Sequence, residues 1–170
     1  FDFVLRAYAA SQACQRFVLH LYGQEHTSYS ASLRALVHQL GLQEDSVVFH
    51  EGVSGDALQA AYEHACMVFS GSHTECQPLA MLDASAAGTP FIARTTGCIA
   101  TMPGGVAVRS WEEMAQQIDL LAGGGPSWQS LADAGRQAAR DIYHPDHTGR
   151  QLLYALMTLG AGKPVGVNNE

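Results

Sequence analysis

The chain has 170 residues, of which 47% are hydrophobic and 15% charged. That length supports one domain with a real core, and that composition excludes a disordered chain. A formal net charge of −7 speaks against non-specific nucleic-acid binding, and no apolar run is long enough to span a bilayer.

In chain order, apolar residues at helical spacing (Phe3, Val4, Ala7, Tyr8) predict a helix over residues 1–13. Residues 16–22 read as a strand ended by Gly23. An amphipathic helix over 29–40 stops at Gly41, and 46–50 form a strand before Glu51 and Gly52. A helix over 56–64 follows a cap near Ser54 or Gly55, then a short apolar strand over 66–70. Pro78 suits the first position of a helix, where its missing N–H costs nothing. Leu79, Leu82 and Ala86 continue that helix to Ala87, and Gly88 can close it. Strands over 91–94 and 105–108 come next. Ser110 and Glu113 make a capping box for a helix over 111–121. Three glycines and Pro126 break the chain before closing helices over 127–142 and 147–159. Residues 160–170 read as a polar, Gly-rich, mobile tail. Strands alternating with helices predict an α/β fold with a mostly parallel sheet and helices on both faces.

The segment from Ser72 to Pro90 carries the chemistry. Glu75 stands in a loop before the Pro78 helix, and Asp83 lies within that helix. The helix separates them by roughly 7–8 Å along its axis. Unpaired N–H groups at the helix start suit an anion such as a diphosphate at the carboxyl ends of parallel strands. Two flanking carboxylates could accept hydroxyl hydrogen bonds from a sugar and from a ribose diol. A plainer alternative makes Asp83 a helix-stabilising acid and Glu75 a solvated loop residue.

Other features carry less. Cys14, Cys66, Cys76 and Cys98 are widely spaced, without a Cys-x-x-Cys pair, which predicts reduced thiols and a cytoplasmic setting. Cys76 near a helix start could be a reactive thiol, but no other residue marks a nucleophilic mechanism, and a small buried thiol fits its context better. The His144/His147 and His73/Cys76 groupings lack a second ligand pair, so no metal is expected. The glycines near Lys163 lack a preceding strand and a following Ser or Thr, which rules out a phosphate-binding P-loop.

Taken together, the order of motifs resembles the C-terminal donor-binding domain of family 4 retaining glycosyltransferases, one Rossmann-like half of a GT-B fold. The run from Phe17 to Gly23 carries part of the resemblance. Gly41, Leu42, Ser46 to Phe49, Gly52 and Val53 add to it, as do Leu58, Tyr62 and Ala65. Ser72, Glu75, Pro78, Leu79, Leu82 to Ala84, Ala87 to Pro90, and Thr96 to Cys98 complete it. The similarity covers residues 1–159. It implies transfer of a hexose-type sugar from a UDP- or GDP-sugar to an acceptor hydroxyl, with no metal or other cofactor. It assigns Glu75 to the donor sugar and Asp83 to the ribose diol. Gln77, Pro78 and Leu79, by their backbone and with carbonyls at Pro78, would line the sugar and phosphate site. Gly52 and Val53 would lie near the base. Cys76 and Gly23 would belong to the same donor site.

The chain departs from the family in two ways. Asp83 stands where Glu is usual. The opening strand is not present, nor are the Arg and Lys after it that neutralise the diphosphate; Lys163, the sole Lys, lies in the tail. The resemblance therefore implies part of a larger enzyme with a separate N-terminal acceptor domain, one that could sit peripherally on a membrane. Rival readings are a non-catalytic nucleotide-sugar-binding or scaffold domain, and another GT-B enzyme such as an epimerase or phosphorylase.

Overall fold

The computed structural model describes residues 1–23 and 26–160. The expected tail lies outside the described residues from 161 onward, and so does Lys163. The elements alternate as expected: α1 (Asp2–Ala10), β1 (Leu19–Gly23), α2 (Ser28–Gln39), β2 (Val47–Glu51), α3 (Asp56–His64), β3 (Val68–Ser70) and α4 (Leu79–Ala87). They continue through β4 (Phe91–Arg94), β5 (Gly105–Val108), α5 (Trp111–Leu121), α6 (Pro126–Asp141) and α7 (Pro145–Gly160).

Every strand pairing is parallel. The expected single sheet is nevertheless divided in two: β1 pairs with β2, while β3, β4 and β5 form a separate three-stranded sheet. Alternation along β4 sorts the second sheet's two faces. Ile92 belongs to a core shared with α1, β1, α2 and α5. Phe91 and Ala93 point the other way, to a smaller core with Met81, Ile99 and Met102. All three of these β4 residues are wholly buried. Helices α1 and α5 pack together on the first face, and α4 packs with α6 on the second. Helices therefore cover both faces, as the alternation implies.

Local chemistry explains where boundaries shift. The first helix stops at Ala10, short of residue 13, and a 3-10 turn over Gln12–Gln15 follows. Asp119 of α5 accepts from the Gln12 and Ala13 N–H groups at 2.8 and 3.3 Å, which holds that turn against the helix layer. The buried Tyr8 hydroxyl donates its one proton to the Phe17 carbonyl at 2.5 Å and has the Ser46 carbonyl within reach at 3.1 Å. One side chain of α1 thus ties together the segments leading into β1 and β2. Ser110 caps α5 through the Glu113 N–H at 3.2 Å. The Glu113 carboxylate reaches back one residue further than a standard capping box, to the Arg109 N–H at 2.7 Å. Thr27 and Ser30 make a reciprocal capping box at α2 that the sequence reading missed. Helix α7 has no buried residue, and it exposes Leu152, Leu153, Tyr154, Leu156, Met157 and Leu159.

Glycines permit the closest contacts beneath β4. A Cβ on Gly105 would stand 2.2 Å from the Phe91 ring across the β4–β5 ladder. Phe91 is fully enclosed and cannot retreat. Gly105→Ala is expected to cost about 1–3 kcal/mol by overpacking. Urea titration should show a lower midpoint with an unchanged slope.

Candidate nucleotide-sugar site

Parallel strands end on one side of a sheet, and the loop that carries Glu75 follows β3 there. The chain leaves β3 at Gly71 and runs through the acidic loop to Pro78 before entering α4. A Cβ on Gly71 would meet Phe3 Cβ at 2.9 Å, so α1 begins directly against this loop. Within the loop, Ser72 Oγ donates to the Thr74 carbonyl at 3.0 Å.

The back of the loop is held by the turn Thr96-Gly97-Cys98. The Cys98 N–H donates to the Cys76 carbonyl at 3.2 Å. Gly97 has φ +51, and a Cβ there would lie 2.3 Å from the Glu75 carbonyl oxygen and 2.6 Å from that of Cys76. Only glycine allows this approach with this backbone. The turn thereby fixes where Glu75 sits.

A cavity of about 920 Å³ opens in front of the loop. Glu75, Ser72, Pro78, Ala80 and Met81 form its wall at this edge. Glu75 is half-buried, while Gln77 and Leu79 are exposed, and so is Cys76, against the expectation of a buried thiol: it sits on the solvent side of the loop before α4. Pro78 is the residue before the helix and not its first member, with φ −73 and ψ 115. Its carbonyl, expected to line the donor site, accepts the Met81 and Leu82 N–H groups at 3.1 and 3.4 Å and so belongs to the helix. The Leu79 and Ala80 N–H groups have no acceptor among the described residues. They supply the free donors expected at the helix start.

Asp83 is exposed and lies outside this lining, one turn along α4 from Ala80. Its neighbour is Tyr62 of α3: burial pushes the Tyr62 phenol up, and the Asp83 charge raises it further. The Tyr62 carbonyl accepts from the Thr89 hydroxyl at 2.6 Å, which links α3 to the turn closing α4. The Gly52 N–H donates to the Gly23 carbonyl at 2.9 Å. They join the carboxyl ends of β1 and β2. Val53 beside them is half-buried.

Two groupings were not foreseen. Tyr22 lies opposite His50 in the β1–β2 register, and their rings stack at 4.5 Å. His20, two residues back on the same face, shares a 2.8 Å hydrogen bond between its Nδ1 and His50 Nε2. Burial, and then the His50 charge, lowers the His20 pKa. His20 and Tyr22 both line the cavity. Their i, i+2 spacing on a strand was the available signal; the partner strand's register was not readable. The second grouping is Arg94 at the end of β4, whose guanidinium contacts the His73 ring at 2.7 Å and lies 5.3 Å from the Phe3 ring centre. It stands behind the acidic loop. Among the described residues, no Lys or Arg lines the cavity. Nor do three or more His, Cys, Asp or Glu side chains there come together to hold a metal ion. None of the four cysteines is in a disulfide. No helix among the described residues is long and apolar enough to cross a membrane.

A family model described as "Glycosyl transferases group 1" matches residues 1–124. The chain belongs to the group 1 glycosyl transferases. The fold is shared with sucrose-phosphate synthase from Thermosynechococcus elongatus, at 21% identity and TM-score 0.77, over 95% of this chain and 43% of that one. It is shared equally with Anabaena HepE in complex with UDP-glucose, at 17% identity and TM-score 0.80, over 92% and 44%. The C-terminal domain of a group 1 glycosyl transferase (LpcC) from Francisella tularensis matches at 18% identity and TM-score 0.73, over 85% and 79%. The chain thus spans less than half the length of the first two structures. No curated protein sequence matches the chain.

The Gly97 contact gives a direct check on the loop. Gly97→Ala should push the Glu75 carbonyl away and loosen the loop while the sheet stays folded. Limited digestion with a Glu-specific protease under native conditions should then cut at Glu75 faster than in wild type. Equal cutting would mean that the turn does not hold the loop.

Proposed function

We propose that the chain is the nucleotide-sugar-binding part of a retaining, family 4 hexosyltransferase. The observation that carries this reading is the half-buried Glu75 beside the free N–H groups of α4, on one cavity wall at the strands' carboxyl edge. The binding of UDP-glucose by HepE, a protein of the same fold, supports a nucleotide-sugar donor here.

In this reading the donor diphosphate lies against the start of α4, where the Leu79 and Ala80 N–H groups meet its charge. Glu75 accepts hydroxyl hydrogen bonds from the sugar, and Asp83 accepts them from the ribose diol. Gly23, Gly52 and Val53 form the end of the site nearest the base, while Cys76, Gln77, Pro78 and Leu79 frame the sugar and phosphates. The bond from the anomeric carbon to the diphosphate breaks, and the acceptor oxygen bonds to that carbon on the same face. The acceptor's proton leaves with the diphosphate. No metal is needed if fixed positive dipoles receive the leaving charge. The acceptor side belongs to another domain of a longer, cytoplasmic enzyme, which could associate with a membrane surface.

One observation favours a second reading. With no Lys or Arg among the described cavity-lining residues, leaving-group charge is met here by backbone dipoles alone. A domain that binds a nucleotide sugar without turning it over would need nothing more.

Calorimetry and activity separate these readings. The 170-residue chain should bind UDP or GDP weakly, and Asp83→Ala should weaken binding about tenfold or more, with Asp83→Asn less affected. Equal affinity for wild type and Asp83→Ala would remove Asp83 from the site. The isolated chain should transfer no sugar. In the longer enzyme, Glu75→Ala should lower turnover more than it weakens nucleotide binding. A longer enzyme that binds donor but transfers nothing would support the binding-only reading.

A further inference from the structure

The strands that lead to Gly23 and Gly52 are held differently on their two faces. On one face Leu19, Leu21 and Val47 are buried in the larger core, with Phe49 packed against it. The other face carries His20, Tyr22, Val48 and His50. Helix α3 borders the larger cavity beside this face through Leu58, Ala61 and Tyr62, yet it buries no residue. A two-stranded sheet is marginal by itself, and side-chain pairs across it add to its cohesion. On this face those pairs are aromatic and imidazole rings.

His20 lies diagonally across the ladder from His50. Its Nδ1 is 2.8 Å from His50 Nε2, while the ring centres are 5.1 Å apart. The difference between these distances is the width of one imidazole ring, so both nitrogens lie on the line between the ring centres. That is a near-linear N–H···N hydrogen bond. The gap between the nitrogens holds one proton and has no room for a second. Tyr22 stacks on His50 with the ring planes 9° apart, so the same hydrogen bond steadies the tyrosine ring. Gly23 follows Tyr22 directly, and Gly52 lies two residues beyond His50.

His20 shares the larger cavity with Tyr22, Tyr62, His64, Cys66, Glu75 and Phe1, whose amino group donates to the Tyr29 hydroxyl. His50 shares the smaller cavity with Tyr22, Tyr29 and Glu51. His64 donates through Nδ1 to the Ala60 carbonyl of its own helix, and Glu51 pairs with Arg34 at 3.4 Å. Among the described residues, neither ring of the pair has another hydrogen-bond partner. Burial, and then the neighbouring His50, lowers the His20 pKa. Stability from such a shift is complete above the ordinary imidazole value of 6.5 and is lost as pH falls below it.

We propose that His20 is a positioning residue for the base end of the donor site. With His50 it shares a single proton that clamps β1 to β2, and a second proton on the pair breaks the clamp and loosens Gly23 and Gly52. The clamp itself rests on side-chain geometry; what it positions rests on the donor reading above. Nucleotide binding by this chain is therefore sensitive to acid through a pair of residues that touch no phosphate.

The test compares the 170-residue chain with His20→Val, which keeps a strand-forming residue but neither titrates nor hydrogen-bonds, and with His64→Gln as a control on α3. Urea unfolding is read from about pH 8 down to about pH 5, across the imidazole range. The wild-type unfolding constant should rise about three- to tenfold more than that of His20→Val, the worth of one net hydrogen bond. His64→Gln should follow wild type. Nitrogen NMR of wild type should show coupling between His20 Nδ1 and His50 Nε2 at the upper end of that range and its loss at the lower. Calorimetry with UDP and with GDP then reads the positioning. At the upper end His20→Val should bind the nucleotide about threefold or more weakly than wild type, and the ratio of the two affinities should close toward one in acid. Titration of the nucleotide's own phosphate is common to both proteins and leaves the ratio unchanged. Parallel stability profiles for wild type and His20→Val, or an absent coupling, would overturn the clamp. Nucleotide binding with a ratio that does not change with pH would overturn the positioning role alone. Failure of wild type to bind UDP or GDP would overturn the donor reading and the positioning role together.

Discussion

The packing of β4 is the constraint on which the second sheet and its site depend. Phe91, Ile92 and Ala93 are excluded from water altogether and face opposite cores in turn. Fixing this strand fixes the register of β3 and β5 on either side. It also fixes the turn at Thr96-Gly97-Cys98, which leaves β4 at its carboxyl end. Because that turn grips the Glu75 and Cys76 carbonyls, a buried apolar strand sets the position of an acidic loop whose own side chains are half-buried or exposed. Rigidity is supplied from beneath, and the chemistry sits on a loop above it.

Much of the fold was legible because its signals are local. The strands at Phe91 and Gly105 and the helices at Asp56 and Trp111 have the bounds their apolar spacing and caps suggest. Boundaries shifted where a distant partner intervened. Asp119 captures the turn after α1, and nothing in the first fifteen residues announces a carboxylate from α5. The division of the sheet was also unreadable in outline, since strand order is a property of pairing and not of any one segment. The assignment to group 1 glycosyl transferases rests on the family model that matches residues 1–124.

The candidate site was partly legible. Glu75 and the start of α4 lie together on one wall, as their spacing around Pro78 suggested. Gly23 and Gly52 meet because Gly23 ends β1 and Gly52 follows the last residue of its parallel neighbour β2. Asp83 shows the limit of helical spacing as evidence. The spacing gives its height along α4, whereas the packing of α3 decides that its neighbour is Tyr62. The stack of Tyr22, His50 and His20 was invisible because it forms between strands whose register the sequence does not state.

The division between β2-β1 and β3-β4-β5 has a consequence for how this chain comes apart. Among the described residues, no ladder hydrogen bond crosses from one sheet to the other. The halves are joined through side-chain packing, chiefly of α1 against α5, and through the connecting segments. Apolar packing lacks the direction of a ladder, so one half can loosen without breaking a strand pair in the other. Cooperativity in this chain is therefore carried by a helix interface, and α1 is the element whose detachment would uncouple the two halves.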